Sequence, residues 1–459
     1  MFSILPDIIY AILLLLLSPF IVFRMIFQNR YRSGWKERFG CVPRRYSDQP
    51  CIWIHAVSLG EINAIGTLVK HLHKVLPQFE IVISSTTDTG ITRAKKLYGL
   101  SHKVFFYPLD FSFAVRRAFR RIHPRLCILM ELEVWPNFTF IAHKQNIPIA
   151  VANGRISSQK GYPRYRKIAP LVRPIFRKLS LVLAQDQTCA DRFGFLGVPA
   201  DRLHVVGLLK YDTANLTDNV PGADELASSL NLTTDHPVWI AGSTGPHEEK
   251  IILDTFAQLT QNKSLQNLRL IIVPRKPERF DEVAKLIESR GFRLLRYSQV
   301  KSGKYQPTQD DQNAVILGDT LGDLRKFYSR ATVIFVGRSL VPMGGSDMIE
   351  AAALAKPVVV GPYTENFSDT VQKLTAGNAL EIVPDGNQLT QITQKLLTDA
   401  KSAQKMAQRA RQIIRDNQGA TQKTINHLLK LLNHQPPLGP QAIATPAIKN
   451  QPPMSNRRI

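Results

Sequence analysis

Short apolar runs alternate with amphipathic stretches along most of this chain. The first series falls at 51–57 (CIWIHAV), 80–84 (EIVIS), 103–107 (KVFFY), 126–130 (LCILM), 147–152 (IPIAVA) and 181–184 (LVLA). These runs are rich in β-branched residues and lack strict apolar–polar alternation. Strands buried on both faces of a parallel sheet read this way. The intervals between them are long enough for crossover helices. A polar stretch at 215–235, holding Pro221 and Gly222, reads as an interdomain linker. A second series follows at 238–241, 268–273, 314–317, 333–336 and 357–360. Two consecutive α/β halves predict two Rossmann-like domains, over 29–214 and over 236–433 with terminal helices. Residues 434–459, with their PP, GP and QPPMSNRRI, read as a disordered tail.

The N-terminus breaks this pattern. Residues 8–23, IIYAILLLLLSPFIVF, carry no charge. A bilayer span needs about 20 apolar residues, so the stretch is borderline. Asp7 stands ahead of it, and Arg24, Arg30, Arg32, Lys36, Arg38, Arg44 and Arg45 follow. That arrangement does not suit a cleaved signal peptide. It predicts an uncleaved membrane anchor within 1–28, spanning or monotopic. The positive-inside rule then leaves the remainder on the cytoplasmic side.

Composition adds a charge argument. Among 459 residues, 59 Lys and Arg oppose 36 Asp and Glu, a formal net charge of +23. Such an excess favours polyanions: nucleic acid, an anionic bilayer or phosphorylated substrates. No RNP-type aromatic stretch, zinc-finger spacing or basic heptad region accompanies it, so nucleic acid is set aside. Cys41, Cys51, Cys127 and Cys189 form no CxxC pair, which argues against a zinc site or a disulfide framework. Cys51 and Cys127 lie in strand-like runs and are expected as buried free thiols.

Four segments carry candidate chemistry. HAVSLGE, 55–61, joins the first strand to a helix, at the sheet edge where ligands bind. Glu61 in the first helical turn suits a general base, and Gly60 allows close approach of a substrate. A capping box of Ser58 and Glu61 accounts for the same residues. MELEVWPN, 130–137, places Glu131, Glu133 and Trp135 at another strand end, where acids can face a sugar hydroxyl, orient a nearby cation or answer a helix dipole. Lys210, in GLLKYD, is either a solvated charge or a phosphate-facing cation. PMGGSDMIE, 342–350, predicts a helix starting near Ser346 or Asp347 behind a Gly344–Gly345 pair, suited to one phosphate, with Glu350 facing ribose hydroxyls. Arg275 and the GDTLGD loop, 318–323, end two further strands of the same half.

In order along the chain, RYRSGWKERFG, HAVSLGE, ELEVWPN, NGRIS, GLLKYD, AGST, VPRKPERF, GDTLGDL and GGSDMIEAAALAKPVVVGPYTENF resemble the 3-deoxy-D-manno-octulosonic acid (Kdo) transferases of lipopolysaccharide assembly. The resemblance covers nearly everything except the tail. It implies a GT-B glycosyltransferase fold of two Rossmann-like domains, acceptor-binding first and CMP-sugar-binding second. It implies transfer of Kdo from CMP-Kdo to the phosphorylated lipid A precursor, lipid IVA, at the cytoplasmic face of the inner membrane. No metal or redox cofactor is implied. Position by position, Glu61 matches the family's general base, and Glu131 and Lys210 match residues assigned to transition-state stabilisation. Pro274, Arg275, Leu321, Gly322, Asp323 and the run Asp347, Met348, Ile349, Glu350 fall on its CMP-binding segments.

The departures all lie in the donor half. GGSDMIE stands where GGHNPLE is usual, so Ser346–Asp347 replaces a His–Asn pair. STGPHEE stands for STHEGEE, Gly337–Arg338–Ser339 for GGS, and Lys276 for a frequent His. An Asp beside phosphate is repulsive, and Arg338 is the expected counter-charge. Two rivals remain: the same fold using another nucleotide sugar, and a non-catalytic membrane-bound scaffold. The presence of Glu61 counts against the scaffold.

Overall fold

The computed structural model describes residues 4–27, 32–157, 161–233 and 236–433. The expected tail, 434–459, lies outside the described residues. The first domain holds β1 (Cys51–His55), β2 (Glu80–Ser85), β3 (Lys103–Phe106), β4 (Leu126–Met130), β5 (Ile149–Gly154), β6 (Leu181–Ala184) and β7 (Leu203–Val205). They form one parallel sheet in the order β3-β2-β1-β4-β5-β6-β7. The second holds β8 (Val238–Thr244), β9 (Arg269–Pro274), β10 (Leu294–Arg296), β11 (Val315–Leu317), β12 (Val333–Val336), β13 (Val358–Val360) and β14 (Glu381–Ile382). Its order is β10-β11-β9-β8-β12-β13-β14, again parallel. The two parallel-sheet domains expected from the two series of runs are therefore present, in keeping with the GT-B-like fold that the resemblance implies.

In each sheet the first strand sits between its successors. β1 has β2 on one side and β4 on the other, and β8 has β9 and β12. Chain connections leave these strands in opposite directions, which opens a crevice at the carboxyl edge. The register His55↔Leu129 sets the turn after β1 beside the turn after β4, and Gly242↔Val336 does the same for β8 and β12.

Both faces of each sheet are covered. Trp53 is buried between the rings of Phe105, Phe119 and Phe138, and its indole N–H donates to Ser84 Oγ at 2.8 Å. Burying a ring of that size requires such a partner for the N–H.

Two boundaries differ from the sequence reading. The stretch 215–235 is more than a linker: Val220, Ala223, Leu226 and Leu230 are buried in the second domain's core. The last helix, Ala420–Asn433, was expected with the second domain but packs on the first. Its Ala420, Ile425 and Leu428 are buried with Ile52, Leu68 and Leu183. Asp212 fixes that return, accepting the N–H of Gly419 at 2.6 Å and the N–H of Thr421.

The N-terminal helix runs Ile4–Phe27, with Pro19 inside it. Its first turn is tied to the first domain. Asp7 accepts the Ser112 N–H (2.7 Å), the Ser112 hydroxyl (2.6 Å) and the Asn137 amide (3.0 Å). The helix Ser112–Ile122 has no capping side chain of its own, since Phe111 occupies that position. Asp7 supplies the cap from another element. Asp110 likewise accepts the N–H groups of Asn137 (2.9 Å) and Phe138 (2.8 Å), at the start of the helix Pro136–Lys144. Beyond that turn the apolar side chains are bare: Leu15, Leu16 and Phe27 are each at least 70% exposed. Among the described residues, no helix is long and apolar enough to cross a membrane. The charge-free stretch between Asp7 and Arg24 spans about 24 Å at 1.5 Å per residue, short of a hydrocarbon core of about 30 Å. The spanning form of the expected anchor is therefore not shown.

Candidate active site

On the first domain, the site grows from the ends of β1 and β4. The capping box at Ser58 is complete: its hydroxyl accepts the Glu61 N–H at 3.3 Å, and Glu61 Oε1 accepts the Ser58 N–H at 3.3 Å. Glu61 Oε2 also accepts the Val57 N–H at 2.9 Å. The capping box does not exclude a chemical role, because the cap holds the carboxylate at the sheet edge. Burial pushes Glu61 above the ordinary carboxylate range, against the pull of those hydrogen bonds. Gly60 has room for a Cβ, whose nearest neighbour would be Ser58 Oγ at 3.7 Å. His55 is not available to substrate: it is buried, stacked on Tyr107 with centroids 3.7 Å apart, and desolvation lowers it to about 3.

Glu131 follows β4 with φ 56°, a left-handed conformation uncommon for a residue with a side chain. Desolvation, and then the like charge of Glu61, push its carboxyl up to about 7, and the nearby Arg155 and Lys210 cations offset part of this. It therefore titrates near neutrality. Glu133 is also raised, chiefly by burial, and accepts the Trp135 indole N–H at 2.9 Å. Asn153, at the end of β5 and also left-handed with φ 56°, accepts the Leu209 N–H at 3.1 Å. That bond ties the segment bearing Lys210 to the same sheet edge.

On the second domain, Ser243 (φ 57°), His247 (φ 73°) and Arg338 (φ 60°) are left-handed at the ends of β8 and β12. Strained backbone gathered at facing sheet edges is a mark of functional sites. Glu248 organises this edge. Its fully buried carboxylate accepts the N–H groups of Gly245 (2.8 Å), Arg338 (2.5 Å), Ser339 (2.7 Å) and Leu340 (2.9 Å). Glu249 accepts the Thr244 hydroxyl at 2.7 Å and pairs with Arg279 at 2.6 Å. Glu350 is raised by desolvation and by the Asp347 carboxylate, with Arg325, Lys210 and Arg275 opposing. Lys210 Nζ lies 2.8 Å from Asp347 Oδ2, joining the two halves of the site.

The carboxyl edges of the two sheets thus present three acids on one side and a mixed cationic and anionic cluster on the other. A model of the 3-deoxy-D-manno-octulosonic-acid transferase (kdotransferase) family matches residues 33–213. The 3-deoxy-D-manno-octulosonic acid transferase of Haemophilus influenzae is 33% identical over 429 residues, covering 91% of this chain and 97% of that protein. The Bordetella pertussis transferase is 32% identical, over 92% of this chain and 98% of its own length. The chain belongs to the Kdo transferase family. It is thereby a glycosyltransferase. Among solved structures, a glycosyltransferase from Rickettsia africae aligns with a TM-score of 0.56 at 12% identity, over 85% of this chain and all of that one. The S. aureus MnaA–UDP co-structure aligns at 0.53 and 16% identity, over 84% of this chain and 99% of that one. Both share the fold.

The Kdo transferase positions carried onto this chain divide by geometry. Glu61 and Glu131 share the first domain's edge, while Lys210, Asp347, Glu350 and Arg275 form one charge cluster. Pro274 ends β9 buried, with Arg275 exposed after it. Leu321 is 75% exposed and Gly322, at φ 91°, has open space around it, so this loop is accessible. Asp323 is a different case. It is buried, and its carboxylate accepts from Lys301 (2.6 Å), Lys326 (2.9 Å) and the Thr320 hydroxyl (2.7 Å). Burial would raise it, but the two lysines hold it down at about 2. It anchors the loop, and its own side chain is already engaged. Met348 and Ile349 are core residues, so they offer backbone alone.

The glycine pair also differs from expectation. Gly344 and Gly345 both have φ 79°, and a Cβ on Gly344 would meet Asn366 at 2.3 Å. The Gly345 N–H donates to Arg338 O at 2.8 Å, so it is not a free phosphate donor. The helix begins later than predicted, at Ile349, and has five residues. Arg338 turns its guanidinium to Met343 O at 3.3 Å, and Lys210 is the counter-charge of Asp347 instead. Glu248 was missed as an organising residue. Its signal was the Glu pair after the displaced His of STGPHEE.

Proposed function

We propose that this Kdo transferase moves Kdo from CMP-Kdo to the phosphorylated lipid A precursor, with inversion at the anomeric carbon. Glu61 takes the proton of the acceptor hydroxyl as its oxygen attacks, and CMP departs. Glu131, titrating near neutrality, and Lys210 offset the charge that develops. CMP is held by Arg275, the loop at Leu321 and Gly322, and the segment from Asp347 to Glu350. The observation that carries this reading is the meeting of Glu61 and Glu131 at the β1/β4 crevice with Lys210 pointing in from the interdomain segment. The Kdo transferase relatives support the choice of donor. No cofactor takes part in this scheme.

The N-terminal helix supports membrane attachment in the plane of the bilayer. Its apolar surface is bare, its first turn is fixed to the first domain, Arg24 stands in its last turn and Arg32 follows it. An in-plane helix with basic neighbours binds the interface of an anionic leaflet. The catalytic domains then lie on the cytoplasmic face of the inner membrane, where the acceptor's headgroup is reached without leaving the bilayer.

The decisive experiment incubates the purified full-length protein with CMP-Kdo and the lipid A precursor and reads the products by mass spectrometry. A mass increase of one or more Kdo units is expected. No product with CMP-Kdo, and a product with another nucleotide sugar, would overturn the donor assignment.

A further inference from the structure

Asp347 faces two ways. Its Oδ1 accepts the N–H of Ile349, the first residue of the short helix Ile349–Ala353, at 3.0 Å. Its Oδ2 lies 2.8 Å from the Lys210 ammonium, which also stands 4.4 Å from the centroid of the Phe367 ring. Lys210 and Asp347 are 34% and 33% exposed, so a ligand can reach the pair. Ion pairs this open to water are weak and readily traded for another partner. Capping does not need a charge, since an Asn oxygen at 347 accepts the same N–H. Holding the ammonium does, because the charge-assisted bond is the stronger one. Lys210, Arg275, Arg325, Asp347 and Glu350 share one neighbourhood. An anionic ligand entering it meets a lysine whose charge is already answered.

We infer that Asp347 is an exchangeable counter-ion: it holds Lys210 in the donor-free protein and yields it to an anionic oxygen of the nucleotide sugar. The inference rests on the donor-site reading above. It makes Asp347 a positioning residue that acts through Lys210 and tunes donor affinity. Two effects then oppose binding in the native chain. One is direct repulsion between Asp347 and phosphate. The other is the Lys210 pair that must open, and this second effect exists while both side chains are present.

A double-mutant cycle separates the two effects. Calorimetry on the full-length protein, Asp347→Asn, Lys210→Ala and the double variant uses CMP and, in parallel, cytidine. Asp347→Asn is expected to tighten CMP binding in both backgrounds, by a factor about two- to fivefold larger when Lys210 is present. Lys210→Arg should preserve that excess, and cytidine, without a phosphate, should not display it. An equal gain in both backgrounds, or a loss of CMP affinity in Asp347→Asn, would overturn the exchange. An equal excess with cytidine would also overturn it, since the effect would then come from the cap or the fold. A native protein that binds neither CMP nor cytidine would remove the donor-site reading itself, and the exchange with it.

Discussion

Glu61 and Glu248 occupy matching places. Each stands in the first turn of the helix after the first strand of its domain, β1 or β8, at the crevice where strand order reverses. Each is raised first by burial. The number of backbone donors separates them. A carboxylate offers about four lone-pair positions. Glu248 spends them on four N–H groups and is 0% exposed. Glu61 accepts two backbone N–H groups, from Val57 and Ser58, and keeps acceptor capacity for a substrate hydroxyl. The same architecture with the same residue type yields a staple in one domain and, in the proposed scheme, a base in the other.

The largest effect is expected at Glu61. Glu61→Gln keeps the cap's carbonyl oxygen and removes the proton acceptor, so turnover should fall by about 10²–10⁴-fold. CMP affinity measured by calorimetry should stay near native. Glu248→Gln should do the opposite. An amide cannot accept four N–H groups, and urea unfolding should register a loss of about 2–4 kcal/mol. Native stability with lost turnover in Glu248→Gln would make the two residues functionally alike and end the distinction.

Glu131 sharpens the contrast through pH. Its folded-state value is about 7 against an ordinary 4.5, so the native chain binds this proton more tightly than the unfolded one. The corresponding stability is full below about pH 4.5 and is lost as pH rises through about 7. Glu131→Gln should therefore be more stable than the native protein at pH 8, by on the order of 1–3 kcal/mol, and level with it near pH 4. Asp110, which burial also lifts to about 7, leaves a residual slope in the variant. A flat difference across that range would show that Glu131 is not held near neutrality. The smallest effect belongs to Asp7. Asp7→Ala removes the borrowed cap of Ser112–Ile122 and should cost about 1 kcal/mol, read as a melting-temperature decrease of about 2–4 °C. Deleting the whole N-terminal helix should cost at least as much, even in detergent.

The strands that frame the site were readable because strands buried on both faces must be apolar and β-branched. β7, β10 and β14 were not, since edge strands of two or three residues leave no such run. The Ser58–Glu61 box was readable because its partners are three residues apart. Lys210 and Asp347 are not neighbours in sequence, and nearness along the chain pointed to Arg338 instead. Asp323 looked like a ligand because one of its two lysines, Lys301, comes from the end of a helix distant in sequence, Tyr297–Lys301. The helix Ala420–Asn433 showed its apolar face but not which domain it would cover.

The polypeptide passes between the domains twice, at the segment after Leu209 and again before Ala420. These two crossings are sewn together: the Gln418 amide donates to Tyr211 O and Ala214 O, each at 2.9 Å, and Asp212 caps the returning helix. Mechanically this is a single strap rather than two separate ropes. Lys210 is one residue from that seam, so its backbone is tied to the place where the two domains are stitched together, while its ammonium reaches Asp347 of the second domain.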